Sequence, residues 1–122
     1  TIGVLEYENK IKVLPMTEIV TDNDFFDYEA KYLGKSEEIT PARISDNTHK
    51  KLKEVAKKVY KSLNMSGISR SEYILVNEEP YFLEMNTVPG LTEASLIPQQ
   101  AEAAGLSLEK LFQNAIEMAL KN

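Results

Sequence analysis

Two apolar stretches, one holding Ser69-Arg70-Ser71-Glu72 and the other Phe82-Leu83-Glu84-Met85-Asn86-Thr87, are parted by a few turn-forming residues, Asn77-Glu78-Glu79-Pro80. Their β-branched and aromatic content predicts two strands, over residues 67–76 and 81–87, joined as a hairpin. Strand side chains alternate between faces. Arg70 and Glu72 therefore share one face of the first strand, and Glu84 and Asn86 share one face of the second. A hairpin brings the four onto one surface, which commits the chain to an antiparallel sheet. For Glu72 to stand opposite Glu84, Val76 must pair near Pro80 across a three-residue turn. The shared face is thus better determined than the register.

The rest of the chain supplies what must cover such a sheet. Its 122 residues, 43% of them hydrophobic, are one domain's worth of soluble, globular material with a modest core. Residues 2–7 and 11–20 read as a hairpin about the turn Glu8-Asn9-Lys10, with Pro15 bending or weakening its second strand. Residues 21–44 carry aromatics and charges without a clean period, Phe25, Phe26, Tyr28 and Tyr32 among them. They read as a long, ordered loop that could cover a site. Ser45 or Asp46 can cap a helix whose apolar positions Leu52, Val55, Ala56, Val59, Tyr60 and Leu63 recur at helical spacing, with lysines opposite. A short helix is predicted from about Ser95 to before Gly105, with Pro98 tolerated in its first turn. A last helix follows Ser107 through Leu108, Leu111, Phe112, Ala115, Ile116 and Ala119, with Leu106 and Leu111 placed as a hydrophobic staple. The fold class expected is α+β, a mainly antiparallel sheet packed with helices.

Charge and cysteine content narrow the chemistry. With 19 acidic against 14 basic residues, net −5, the chain lacks the basic excess that nucleic acid or an anionic membrane surface requires. No run approaches the roughly 18 apolar residues that span a bilayer. The chain has no cysteine, which excludes thiolate chemistry and is compatible with a reducing cytoplasm. It opens directly on strand-like residues without an initiator Met, from which we expect a fragment of a longer protein.

The polar quartet has two readings. A carboxylate at Glu84, between Leu83 and Met85 on a strand expected to be buried, needs a partner, and a salt bridge to Arg70 or a lysine would serve. A bare ion pair does not call for a second carboxylate and an amide on the same surface, however. Mg²⁺ prefers one or two carboxylates together with phosphate oxygens. Arg70 could neutralise the carboxylates or hold an oxyanion. Residues 86–90 could be an ordinary strand-ending turn, with Gly90 supplying a positive φ. Ser95 could be only a helix cap, or could join the free amides there in receiving a carboxylate. Lys31 and Tyr32 could be a solvated charge and a packing aromatic, and His49 reads as structural or solvated.

Together, Tyr28-Glu29-Ala30-Lys31-Tyr32, Arg70 with Glu72, Glu84-Met85-Asn86-Thr87-Val88-Pro89-Gly90-Leu91-Thr92 and Ser95-Leu96-Ile97-Pro98 resemble the C-terminal part of bacterial D-alanine–D-alanine ligases, of the ATP-grasp superfamily. The resemblance runs through nearly the whole chain, and implies that residues 1–122 are a C-terminal ATP-grasp lobe of a longer enzyme. It implies a cytoplasmic ligase for peptidoglycan precursor synthesis, joining two D-alanines through an acyl phosphate, with ATP as co-substrate and two Mg²⁺ ions (or Mn²⁺). It implies that Glu84 bridges the two ions, with Glu72 on one and Asn86 on the other, and that Lys31 approaches the transferred phosphate. Arg70 and the Gly90 amide would stabilise the oxyanion, Ser95 and Leu96 would bind the second D-alanine, and Tyr32 would orient its loop. The partners implied are ATP and D-alanine, with neither nucleic acid nor membrane, in a full-length homodimer. The chain departs from the family at Glu72, where Asp is usual, and at Ser71, where an aliphatic residue is usual. The added methylene lengthens reach while keeping charge and donor set.

Two alternatives remain. A related ligase could join D-alanine to D-lactate or D-serine, although Tyr32 after Lys31 resembles the D-alanine-using members. The chain could also be a folded module without activity of its own.

Overall fold

A computed structural model describes residues 1–21 and 36–121. The strands are β1 (Ile2–Tyr7), β2 (Lys10–Val13), β3 (Glu18–Thr21), β4 (Ser36–Ile39), β5 (Ser69–Val76) and β6 (Glu79–Asn86). The helices are α1 (Asp46–Ser62), α2 (Leu96–Ala103) and α3 (Leu108–Leu120). Four strands form one antiparallel sheet in the order β2-β1-β5-β6, and β3 pairs with β4 in a separate ribbon. The α+β expectation holds. Among the described residues no helix is long and apolar enough to cross a membrane.

Strand alternation sorts the core into two layers. Ile2 and Val4 point to one face of β1, where Met16 and the Leu52, Ala56 and Tyr60 stripe of α1 cover them. Those helical residues recur every fourth position, one stripe of an amphipathic helix. Leu5 points the other way and packs with Leu14, Ile97 and Ala101 from α2 and Leu111 from α3. Of the two expected caps of α1, Ser45 takes the role: it has extended backbone, φ −66° and ψ 156°, and its side chain accepts from the Thr48 amide, while Asp46 is the first helical residue. Ser107 accepts from the Lys110 amide at the start of α3 in the same way.

Several expectations are corrected. Residues 11–20 are not one strand: β2 ends at Val13, before Pro15, and the chain resumes as β3 in the other ribbon. Proline supplies no amide for a continuous ladder, and the break falls where that donor is lost. Part of the expected long loop is strand β4, paired through Glu18↔Ile39 and Ile19↔Glu38. The helical positions Leu63, Phe112 and Ile116 are exposed rather than core.

The sheet register explains itself at the hairpin tip. Val76 pairs with Glu79 across a two-residue turn, one residue shorter than expected, yet Glu72 still faces Glu84 because a bulge between Glu72 and Tyr73 absorbs the difference. Asn77 and Glu78 both adopt positive φ, 53° and 65°, as the tight hairpin turn that matches strand twist demands. The Glu78 carboxylate accepts from Thr48 Oγ1 at 3.0 Å and Ser45 Oγ at 3.3 Å, docking the tip on the start of α1. Lys51 pairs with Glu79 at 2.7 Å beside it.

Candidate functional site

Arg70, Glu72, Glu84 and Asn86 lie together as the sequence pattern predicts. The ladder places Arg70 opposite Asn86 and Glu72 opposite Glu84, and directly opposed residues of an antiparallel pair project from the same face. Gly3 is the β1 partner of Arg70, so this face is the one that carries α2 and α3. Arg70 donates from its Nη2 to Glu72 Oε1 at 3.2 Å, and both side chains are largely covered. The Arg70 Nε is buried with no hydrogen-bond acceptor. A guanidinium with a donor to spare in a carboxylate-rich site is suited to holding a further anion.

Glu84 corrects one premise. It is exposed, as are its neighbours Tyr81, Phe82 and Leu83, because β6 ends the sheet order. The apolar reading of residues 81–87 therefore came from an edge strand, not a buried one.

The donor set fits magnesium. Two carboxylates opposed across a ladder repel each other, and Arg70 pairs with one of them, Glu72. Among the described residues no cluster of three or more His, Cys, Asp or Glu side chains could hold a metal alone. Two carboxylates and an amide oxygen on one face are a donor set that an ion taking one or two carboxylates, with its remaining oxygens from phosphates and water, could use. Asn86 Oδ1 accepts from the Val88 amide at 3.0 Å, which fixes the side chain and leaves its oxygen a second lone pair.

The start of α2 forms a second feature. Ser95 occupies the N-cap position with extended backbone, but its side chain makes no capping bond. It exchanges a hydrogen bond with Thr92 Oγ1 at 2.7 Å instead. The first-turn amides of Leu96 and Ile97 have no intrahelical acceptor, and no acidic side chain sits in that turn. Such a helix start attracts a carboxylate. Gly90 is required for space rather than for a positive φ: a Cβ there would fall 2.9 Å from Ser95 Oγ. Thr92 enters the sequence reading only as the end of the Glu84–Thr92 motif, without a role of its own, and its spacing of three residues from Ser95 is the signal for this contact.

Lys31 and Tyr32, together with the aromatics Phe25, Phe26 and Tyr28, lie outside the described residues. His49 is exposed on α1.

The chain matches the sequence model described as D-ala D-ala ligase C-terminus over residues 1–117. It is 68% identical over 120 residues to the D-alanine–D-alanine ligase of Flavobacterium johnsoniae, covering 98% of this chain and 37% of that protein. It thus spans little more than a third of that relative's length. Among solved structures, the Bacillus anthracis D-alanine–D-alanine ligase superposes with a TM-score of 0.81 at 31% identity, over 98% of this chain and 38% of that one. The same enzyme complexed with ATP gives 0.78 at 28% identity, with the same coverage. The VanG D-Ala:D-Ser ligase of Enterococcus faecalis gives 0.78 at 32% identity, over 96% of this chain and 34% of that one. With the family model matched from residue 1 to residue 117 and the strands, helices and acidic hairpin in place, this chain belongs to the D-alanine–D-alanine ligase C-terminal family.

Proposed function

We propose that this chain is the C-terminal ATP-grasp lobe of a longer cytoplasmic enzyme that joins two D-alanines at the expense of ATP, for peptidoglycan precursor synthesis. The observation that carries this reading is the cross-strand placement of Glu72 opposite Glu84, with Arg70 and Asn86 beside them on one face. The named activity of the 68% identical relative and the ATP complex of a structural neighbour support it. The homodimer implied by the resemblance belongs to the same proposal.

In this reading Glu72, Glu84 and Asn86 would hold Mg²⁺, which would supply neutralisation of phosphate charge. The first D-alanine carboxylate takes the terminal phosphoryl group of ATP and becomes an acyl phosphate. The amine of the second D-alanine then attacks that carbonyl carbon, a tetrahedral oxyanion forms, and phosphate leaves as the amide is made. Arg70, with the Gly90 amide, faces the charge that accumulates on that oxygen, the step at which preorganised donors contribute most. Ser95 and the first amide of α2, at Leu96, hold the carboxylate of the second D-alanine so that its amine is oriented. Lys31 approaches the transferred phosphate and Tyr32 orients the loop they share. No side chain has to act as a covalent nucleophile, since phosphoryl transfer runs on positioning and charge stabilisation.

The second substrate is the point to test. The likeness to a D-Ala:D-Ser ligase at 32% identity keeps D-serine in view as the second substrate, but the named activity of the 68% identical relative favours D-alanine. The full-length enzyme, given ATP, D-alanine and equimolar D-lactate or D-serine near neutral pH, is expected to yield D-alanyl-D-alanine as its main product by mass spectrometry. A predominant depsipeptide or D-alanyl-D-serine overturns the assignment.

A further inference from the structure

Gln100 is the one polar side chain in the buried stripe of α2, and both N–H donors and one lone pair of its amide are used. It is 0% exposed. Its Oε1 accepts from the Gly3 amide at 2.7 Å. Its Nε2 donates to the Thr1 carbonyl at 3.1 Å and to Thr17 Oγ1 at 2.9 Å. Thr17, itself buried, shares a hydrogen bond with Thr40 Oγ1 at 2.6 Å, so the network continues to the end of the β3–β4 ribbon. Gly3 admits this grip because it lacks a side chain: a Cβ there would stand 2.8 Å from Gln100 Oε1 and 2.6 Å from Ile97 Cδ1.

The apolar contacts of α2, through Ile97 and Ala101, hold the helix against the sheet but do not by themselves fix its slide or rotation. Dispersion and burial are non-directional, whereas three hydrogen bonds from a single buried amide are directional and strengthen one another in a low-dielectric interior. The strand residue gripped by Gln100 is also decisive, because Gly3 is the ladder partner of Arg70. Five positions earlier, at the N-cap of the same short helix, sits Ser95, followed by the first-turn amides of Leu96 and Ile97, which have no intrahelical acceptor. Gln100 therefore ties the helix start to the strand position beside the guanidinium.

We propose that Gln100 is a positioning residue that sets the distance between the carboxylate-receiving start of α2 and the Arg70 platform, and so tunes the site for the second amino acid. This rests on the function proposed above, in which Ser95 and Leu96 receive the second D-alanine. A residue in this role affects how well the second substrate is placed while leaving ATP and first-substrate binding alone. A residue that only stabilises the fold would lower the active fraction, and with it all rates together.

The full-length enzyme carrying Gln100→Met, similar in length but unable to make the three bonds, separates the two. Initial rates against D-alanine concentration resolve the Michaelis constants of the first and second sites. The constant for the second site is expected to rise about tenfold, while those for ATP and the first D-alanine stay within about twofold. Should that variant not fold, Thr17→Val, which removes one acceptor while keeping the branched shape, is expected to give the same split at about threefold. An unchanged second-site constant in a folded variant, or a uniform loss of rate with all constants unmoved, overturns the proposal. A wild-type enzyme that makes no dipeptide defeats the functional reading itself. A competent wild type beside an unmoved variant defeats this inference alone.

Discussion

At Glu72 a buried carboxylate lies 3.2 Å from a guanidinium and directly opposite a second carboxylate. Removing the charge while keeping the shape, as in Glu72→Gln, withdraws one anionic oxygen donor from the proposed metal site. In the full-length enzyme this is expected to raise the Mg²⁺ concentration needed for half-maximal rate by about tenfold or more, measured by titrating metal at saturating ATP. An unaltered Mg²⁺ dependence would sink the ligand assignment. Tyr60 illustrates the opposite case, a polar group whose role is structural. Its hydroxyl donates to the Gly67 carbonyl at 2.6 Å, and burial, with a lesser push from Glu6, raises its pKa from 10.0 to about 12. A raised phenol pKa means the folded state prefers the protonated form. The contribution is therefore complete below the unfolded value near 10 and is lost as pH rises toward 12. Tyr60→Phe is expected to cost about 1 kcal/mol at neutral pH, and absorbance titration of the variant should lose one late-ionising tyrosine relative to wild type. Both residues bear on what a sequence discloses. The even spacing of Arg70 with Glu72 and of Glu84 with Asn86 revealed their common face, because strand geometry is fixed. The exposure of Glu84 was hidden, because an apolar edge strand and a buried strand have the same composition until the sheet order is known.

Elements show how local chemistry is overridden by what they touch. The two tight turns of the main sheet both force a glutamate to positive φ, 51° at Glu8 and 65° at Glu78, where glycine is the less strained choice. At Glu78 the side chain offsets that strain by accepting from Ser45 and Thr48 at the start of α1. The two positions should thus respond differently to one substitution. Glu8→Gly is expected to stabilise the protein by about 0.5–1 kcal/mol, whereas Glu78→Gly should give no gain or a net loss, since the relief is set against the lost bonds. Urea denaturation of the two variants checks this, and an equal gain at both would show that docking the tip on α1 contributes nothing. The same competition explains which boundaries were legible. Ser45 and Ser107 mark their helices in the sequence because capping is a local interaction. The turn at residues 77–78 was misjudged by one residue because the compensating bulge at Glu72/Tyr73 is specified by contacts across the sheet, which no short window contains.

For the molecule as a whole, Gly3 is where α2 packs tightly onto the sheet. A methyl group there would approach Ile97 Cδ1 to 2.6 Å, Gln100 Oε1 to 2.8 Å and Leu14 Cδ1 to 3.0 Å. Gly3→Ala is expected to destabilise by about 1–3 kcal/mol, the range for overpacking a close-packed core, read as a lower midpoint in thermal unfolding. Because the sheet carries a core layer on each face, the chain has the means to fold by itself, and its activity is a separate matter. The quartet and the start of α2 form one wall of the proposed site, and the apolar side chains of Tyr81, Phe82 and Leu83 beside them are exposed. Phosphoryl transfer depends on holding the nucleotide, the acceptor carboxylate and the incoming amine together out of water. A single wall can attract Mg²⁺ and phosphate but cannot exclude solvent or fix the nucleotide against the first D-alanine. The purified chain is therefore expected to show a cooperative thermal transition while releasing no phosphate above background with Mg²⁺, ATP and D-alanine, under conditions in which the full-length enzyme turns over. Sustained D-alanine-dependent phosphate release from the chain alone would mean that these 122 residues complete the site themselves, and the two-walled account of the catalytic geometry would have to be abandoned.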